Sequence, residues 1–297
     1  MNTNHQQINT LGIIGLGFMG ASLAKSFKKH LPTTRCIGYD TNTDYCEHAL
    51  NQRYMDEILP PEKLACQTDM LILATPVDTI SQLLTQLLPY FTGIAITDTG
   101  STKQMLCQTA NRCANGEKYV AAHPFAGSAY TGPYRAHPEL YTQADCFLCN
   151  TADSSQEALQ AVASLFSRCG MNLHEISAPE HDLLMANYSH LPQLVSYALA
   201  AAISPPDAYN YPKPNMWGRG LTSMLRLAKS NPKIWLPIAR QNNQHLVKAL
   251  IRFEQQIQQM INSLEDTNYD RLEASFNRSF CLMNQNIHPK TPKKQQP

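Results

Sequence analysis

An α/β fold with a doubly wound parallel sheet, followed by an all-helical second domain, is the architecture that this sequence predicts. Three observations predict it. A glycine turn near the N-terminus joins an apolar run to a helical pattern, short apolar runs then alternate with helical patterns up to about residue 176, and no such alternation follows.

The first strand is Leu11-Gly12-Ile13-Ile14, and Ala21 to Phe27 opens a helix. Between them lies Gly15-Leu16-Gly17-Phe18-Met19-Gly20, which is G-x-G-x-x-G in the strand, turn, helix setting that signals dinucleotide binding. The first glycine permits the turn and the second lets the backbone approach a pyrophosphate. The third brings the helix close, so that its free N–H groups face the phosphates. All six residues are candidate cofactor contacts. A second apolar run, Cys36 to Tyr39, ends in Asp40, about 20 positions beyond the glycines, where a carboxylate holds a ribose 2′-hydroxyl and repels a 2′-phosphate. This is a Rossmann-type pattern, and NAD is the cofactor it favours.

Asp69 to Pro76 reads as a buried strand ending at a proline-containing loop, with a helix over Val77 to Leu88. Ile94 to Asp98 is the next strand, followed by the loop Thr99 to Thr102 and a helix from Lys103. Tyr119 to Ala122 leads to His123-Pro124, Asp145 to Cys149 is a further strand, and Gln156 to Arg168 is an amphipathic helix. Ligands bind at the carboxyl ends of strands in such sheets, so Thr75, Pro76, Ser101 and His123, each placed just past a strand, are where function should collect. Helical patterns over Glu180 to Ala202 and Gln241 to Leu264 flank a proline-rich stretch, Ser204 to Pro214. The expected division is a nucleotide-binding domain over 1–176, a helical domain over 177–284 and a disordered tail over 285–297.

The chain has 297 residues, 16% of them charged, and a net charge of +1, which gives no electrostatic reason to expect nucleic acid or a membrane surface as partner. The polar start, Met1 to Gln7, lacks the apolar core of a signal peptide, and no apolar run reaches bilayer length, so the cytoplasm is expected. Nine scattered cysteines, an odd number, suit buried thiols better than a disulfide framework. Cys146-Phe147-Leu148-Cys149 is formally C-x-x-C, yet it reads as a strand without a second pair, and no metal is expected.

Several segments, in order, resemble one family. They are the glycine turn with Asp40; Asp98-Thr99-Gly100-Ser101-Thr102-Lys103; His123-Pro124-Phe125-Ala126-Gly127-Ser128; His181-Asp182 through Ser189-His190-Leu191-Pro192; and Arg226-Leu227-Ala228 with Ser230, Pro232 and Trp235. Together they are similar to the prephenate/arogenate (cyclohexadienyl) dehydrogenases of tyrosine biosynthesis, over about residues 10 to 280. The resemblance implies hydride transfer from C4 of a cyclohexadienol to NAD with loss of the ring carboxylate. It also implies His123 as acceptor of the hydroxyl hydrogen, Ser101 as a hydrogen-bonding partner in the same region, and Arg226 as the grip on a carboxylate. His190, Gln193 and Ser128 fall where the substrate pocket is shaped. A homodimer through the helical half is implied as well, and neither end suggests a fused mutase or an appended regulatory domain.

The departures concern the substrate. The family's Thr-Glu-x-x-Gly is Ser128-Ala129-Tyr130-Thr131-Gly132 here, Gln193 replaces the last histidine of Ser-His-Leu-Pro-His, and Gly-Phe-Arg-Asp-x-x-Arg becomes Gly220-Leu221-Thr222-Ser223-Met224-Leu225-Arg226. A neutral glutamine contributes hydrogen bonds without charge, which brings arogenate forward beside prephenate. Two other readings remain at this stage: a β-hydroxyacid dehydrogenase, whose lysine segment the helical half lacks, and a non-catalytic NAD-binding regulatory protein. Each residue also has a plainer role available. Ser101 could cap a helix, His123 could be a loop histidine, His190 could be structural, and Arg226 could pair with a neighbouring acid.

Overall fold

The structure is a computed structural model and describes residues 8–127, 130–203 and 218–286. Its first part runs β1 (Thr10–Ile14), α1 (Phe18–His30), β2 (Arg35–Tyr39), α2 (Thr43–Asn51), β3 (Glu57–Ile58), α3 (Pro61–Gln67), β4 (Met70–Leu73) and α4 (Val77–Leu87). It continues through β5 (Ala95–Asp98), α5 (Gln104–Ala110), β6 (Tyr119–Phe125), β7 (Asp145–Cys149), α6 (Gln156–Arg168) and β8 (Asn172–Ile176). Helices α7 (Ala178–Met185), α8 (Leu191–Ala202), α9 (Arg219–Leu225), α10 (Pro232–Gln241), α11 (Asn243–Glu265) and α12 (Tyr269–Asn286) complete it. By its contacts the chain divides into two units, Met1–Leu246 and Val247–Pro297.

The strands form an eight-stranded sheet, among the described residues, in the order β3-β2-β1-β4-β5-β6-β7-β8. Alternate residues serve its two faces, as a strand's period of two requires. Leu11 and Ile13 of β1 and Met70 and Ile72 of β4 pack with Phe27 of α1 and Phe166 of α6. Their neighbours Ile14, Leu71 and Leu73 pack on the other face with Ile80 and Leu84 of α4 and Leu106 of α5. The order reverses between β1 and β4, and the crevice at their carboxyl ends is the switch point at which ligands bind in such sheets.

All pairings are parallel except β6 with β7, which is antiparallel. The doubly wound, mostly parallel sheet thus carries one antiparallel pair. A parallel return needs a crossover of a dozen or more residues, usually a helix. Among its described residues, the connection holds a short 3-10 turn, Pro138–Tyr141, and no α-helix; the Tyr141 hydroxyl donates to the Met19 carbonyl of α1 at 2.9 Å. Because β5 pairs with β6 only at Tyr119 and Val120, the rest of β6 runs on beside β7. His123 therefore lies inside a strand, opposite Phe147, and not past a strand end.

Cys146 and Cys149 fall on opposite faces of β7, Cys146 in one apolar layer and Cys149 in the other, so they cannot converge on one ion. Burial pushes the Cys146 thiol up to about 12 and raises that of Cys149 as well. Both are packing residues.

The long helical pattern after Ser177 is two helices joined by one wide π turn, Ala186–His190. It starts earlier than the apolar spacing indicated, because Ser177 and Glu180 form a capping box at its N-terminus. In the second unit, Val247, Ile251, Ile257, Ile261 and Leu264 of α11 recur at helical spacing and are exposed, as are Phe276, Phe280 and Met283 of α12. The segment expected as a tail begins within α12, which ends at Asn286, and its remainder lies outside the described residues, as does Ser204 to Pro214. Among the described residues no helix is long and apolar enough to cross a membrane.

Among the described residues, the pair of Lys103 with Asp98 lies wholly inside. The Lys103 ammonium meets Asp98 Oδ2 and also donates to the Ala122 carbonyl at 2.7 Å, with both charged side chains fully buried. Asp98 also accepts from the Tyr119 hydroxyl at 2.8 Å and from the backbone N–H groups of Gly100 at 2.8 Å and Ala122 at 3.1 Å. Burial, then the neighbouring carboxylate, hold the Tyr119 phenol well above its ordinary value, which keeps it a donor. β5, β6 and the start of α5 are thus joined through polar groups that have no water to fall back on. Lys103→Met removes the cation and leaves the carboxylate behind. The expected loss is about 3–5 kcal/mol of stability, measured as a lower urea midpoint with an unchanged slope.

Candidate active site

The glycine turn is built as its spacing requires. Gly15 has φ +99°, and its N–H donates to the Tyr39 carbonyl at 2.8 Å. A Cβ on Gly20 would lie 1.9 Å from the Gly15 carbonyl oxygen, so only glycine lets α1 approach the turn this closely. Gly17 differs: a Cβ there would meet nothing within 4 Å. That open side lies at the N-cap of α1, where no side chain caps the first turn. Free N–H groups beside an open cradle suit a phosphate. The Asp40 carboxylate accepts from Leu16 N–H at 2.7 Å and from Asn42 N–H at 2.9 Å, which leaves further lone pairs for hydroxyls. At the end of β4, Thr75 Oγ1 is buried with no hydrogen-bond partner among the described residues, and Pro76 starts α4. An orphaned hydroxyl at the switch point, an open glycine and a fixed carboxylate together fit a dinucleotide. Phe18 and Leu16 are buried, and Met19 lends its carbonyl to Tyr141.

His123 is buried, and its Nδ1 lies 2.8 Å from His181 Nε2. His181 Nδ1 in turn lies 2.8 Å from Asp182 Oδ1. The same carboxylate accepts the N–H groups of Lys103 at 2.8 Å and Gln104 at 2.9 Å. These partners fix every proton in the chain. A carboxylate can only accept here, so His181 Nδ1 donates and its Nε2 is bare. His123 Nδ1 must then donate to that nitrogen, and the lone pair of His123 is left on Nε2. Burial first, then the neighbouring His181 and Lys103, hold His123 well below the ordinary imidazole range. Burial also lowers His181, against the pull of Asp182. Phe147 packs against both rings at 6.4 and 5.6 Å, and Phe125 against His123 at 5.7 Å, which keeps the pair dry. A neutral imidazole with an assigned acceptor nitrogen is equipped to take a proton.

Ser101 stands in the loop between β5 and α5. It does not cap α5, whose first N–H groups are taken by Asp182, and it is not the partner of His123 Nδ1, which is His181. Its hydroxyl has no partner among the described residues. His190, in the π turn, is fully buried; Asn242 Nδ2 donates both to its Nδ1, at 3.1 Å, and to the Asp182 carbonyl, at 2.7 Å. Gln193 is also buried and donates from Nε2 to the Leu227 carbonyl at 2.7 Å. Arg226, between α9 and a short 3-10 turn, is exposed, and no carboxylate pairs with it among the described residues. Ser128 lies outside the described residues.

The structure thus brings His123, His181 and Asp182 into one hydrogen-bonded chain. His181, Asp182, Asp98 and Lys103 stand in the segments that carry the family resemblance, but no role could be read for them from the resemblance alone. Their signal was available: an acid closing a buried strand with a lysine five residues on, and a His-Asp pair inside an otherwise apolar helix face.

A family model described as the nucleotide-binding domain of prephenate dehydrogenase matches residues 23–175, and one described as its dimerization domain matches 177–278. The cyclohexadienyl dehydrogenase of Zymomonas mobilis is 25% identical over 275 residues, covering 91% of this chain and 93% of that one. The prephenate dehydrogenase of Bacillus subtilis is 29% identical over 266 residues, 86% of this chain and 69% of that one. Among solved structures, the prephenate dehydrogenase of Aquifex aeolicus in complex with hydroxyphenyl propionate and NAD+ is similar, with a TM-score of 0.83. It is 26% identical, and the match covers 94% of this chain and 99% of that one.

Burial lowers His190 from 6.5 to about 4, the largest cause being its loss of water. The folded protein therefore resists a proton that the unfolded chain accepts. The sign follows: stability is full above the unfolded value and is lost as pH falls from 6.5 toward 4, because the unfolded state binds more protons there. Thermal unfolding across that window is expected to show a falling midpoint, and His190→Gln to show a shallower fall than the parent chain.

Proposed function

The chain belongs to the prephenate dehydrogenase family, and from that premise we propose that it catalyses the NAD-dependent oxidative decarboxylation of prephenate or arogenate in tyrosine biosynthesis. The observation that carries this reading is the run Asp182, His181, His123, with hydrogen bonds of 2.8 Å and a bare Nε2 at its end. Gly15 to Gly20 would hold the pyrophosphate, Asp40 a ribose diol, and Thr75, Pro76 and Ser101 the part of the cofactor along the strand ends. Bound NAD supplies the acceptor for the hydride that leaves C4.

The remaining work falls to side chains. His123 Nε2 accepts the proton of the C4 hydroxyl as charge leaves that carbon, and Asp182, through His181, steadies the cation that forms. The ring carboxylate departs as CO2, and its electron pair completes the aromatic ring. The Ser101 hydroxyl hydrogen-bonds the same oxygen. The Arg226 guanidinium pairs with a substrate carboxylate, for which its planar fork is suited. Ser128, His190 and Gln193 shape the pocket, and the neutral Gln193 lets arogenate compete with prephenate. The protein works in the cytoplasm as a homodimer. The exposed apolar stripes of α11 and α12 support that assembly, as does the dimerization-domain match over 177–278.

NADH formation is expected with prephenate, arogenate or both; retained NAD binding without turnover of either overturns the reading. His123→Asn is expected to lower kcat by about 10²–10⁴-fold while NAD binding stays intact. Arg226→Ala is expected to raise KM for the acid substrate and to leave kcat nearly unchanged. Sedimentation at micromolar concentration should give a dimer, and a monomer there counts against the assembly.

A further inference from the structure

Arg226 sits where a helix has just ended, a place where backbone carbonyls lack partners. α9 stops at Leu225, and only a 3-10 turn, Leu227–Lys229, follows. The last carbonyls of a helix have no intrahelical donor and must find one elsewhere. Here one of them, that of Met224, and two carbonyls just beyond the helix, those of Leu227 and Ser230, are met from a single face of α8. Gln193 Nε2 donates to the Leu227 carbonyl at 2.7 Å. The Ser196 hydroxyl donates to the Met224 carbonyl at 2.7 Å and accepts the Ala228 N–H at 3.0 Å. The Tyr197 hydroxyl donates to the Ser230 carbonyl at 2.8 Å. Positions 193, 196 and 197 are three and four apart, so they share one side of the helix. Gln193 and Ser196 are almost fully buried, so water does not compete for these bonds.

We propose that Gln193, Ser196 and Tyr197 are positioning residues that hold the Arg226 segment in place for the substrate carboxylate. This rests on the reading of Arg226 as the carboxylate-binding residue. The guanidinium itself is exposed and forms no ion pair among the described residues, so what the fold holds in place is the backbone from which it reaches. That backbone is fastened on both sides of the arginine, at Met224 and at Leu227 and Ala228. The role also accounts for the departure at position 193. Its amide nitrogen is engaged by a backbone carbonyl, so the residue serves the substrate through Arg226 instead of through a charge of its own. Holding a long side chain's base still lowers the ordering cost that binding must meet.

The test is steady-state kinetics on the full-length protein with prephenate or arogenate, whichever it turns over. Ser196→Ala and Tyr197→Phe each remove one hydroxyl. The expected result is a rise in KM for the acid substrate of about fivefold, with kcat and the KM for NAD within about twofold of the parent. In an Arg226→Ala background the same substitutions are expected to raise KM no further, because the group they position is gone. Ser196→Thr, which keeps the hydroxyl, should restore the parent KM. Parent-like KM values in Ser196→Ala and Tyr197→Phe overturn the proposal, as do increments that persist in the Arg226→Ala background. So do losses shared equally by kcat and the KM for NAD, which mark general damage to the fold. A parent-like KM in Arg226→Ala alone would instead remove the underlying assignment of that arginine.

Discussion

Three hydrogen bonds to the Asp182 carboxylate and one side-chain bond to its carbonyl hold the candidate site together. Its carboxylate takes the Lys103 and Gln104 N–H groups at the start of α5 and the Nδ1 proton of His181, while its carbonyl takes Asn242. A helix of the nucleotide-binding part, a histidine relay and the end of α10 are thereby referred to a single residue. Moving that carboxylate would release a helix terminus and erase the proton order of two imidazoles together.

The same economy runs through the charged interior. Asp98 and Lys103 sit one layer below, and the lysine's ammonium reaches the carbonyl of Ala122, the residue before His123. Its positive charge is among the influences that keep His123 neutral, after burial and His181. A buried ion pair is a costly way to join strands, and an apolar pair would serve packing as well. What it adds here is a cation beside a histidine whose use depends on being uncharged.

Much of the fold could be read from the residues. The alternation of short apolar runs with helical patterns located β1, β2, β4, β5, β7 and α6, because those elements carry the strongest periodicity. The glycine turn announced the crevice beside it. The small pieces escaped: β3 is two residues long, and β8 is a half-exposed strand, Asn172–Ile176, whose pattern has no apolar side to reveal. The antiparallel turn to β7 was hidden because direction depends on what connects two strands, and that lies in a loop without periodicity. For the site, the sequence pointed to His123, Arg226 and Gln193. It left the partner of the imidazole unidentified, since a contact across 58 residues leaves no local pattern. The cap on α5, for which Ser101 was one candidate, is equally non-local: the acceptor is Asp182, which arrives from α7.

The π turn at Ala186–His190 has a geometric effect on everything after it. A regular helix would bring Gln193 back almost over Asp182, eleven positions earlier, on one common side. Five residues wound with more residues to the turn lag behind that phase by roughly a quarter of a revolution. The rod is thus continuous in its axis but broken in its bearing: the upstream portion looks toward the sheet's imidazole, and the downstream portion toward the guanidinium's backbone. A single local loosening lets one length of chain meet the His123 ring through one portion and the Arg226 backbone segment through the other.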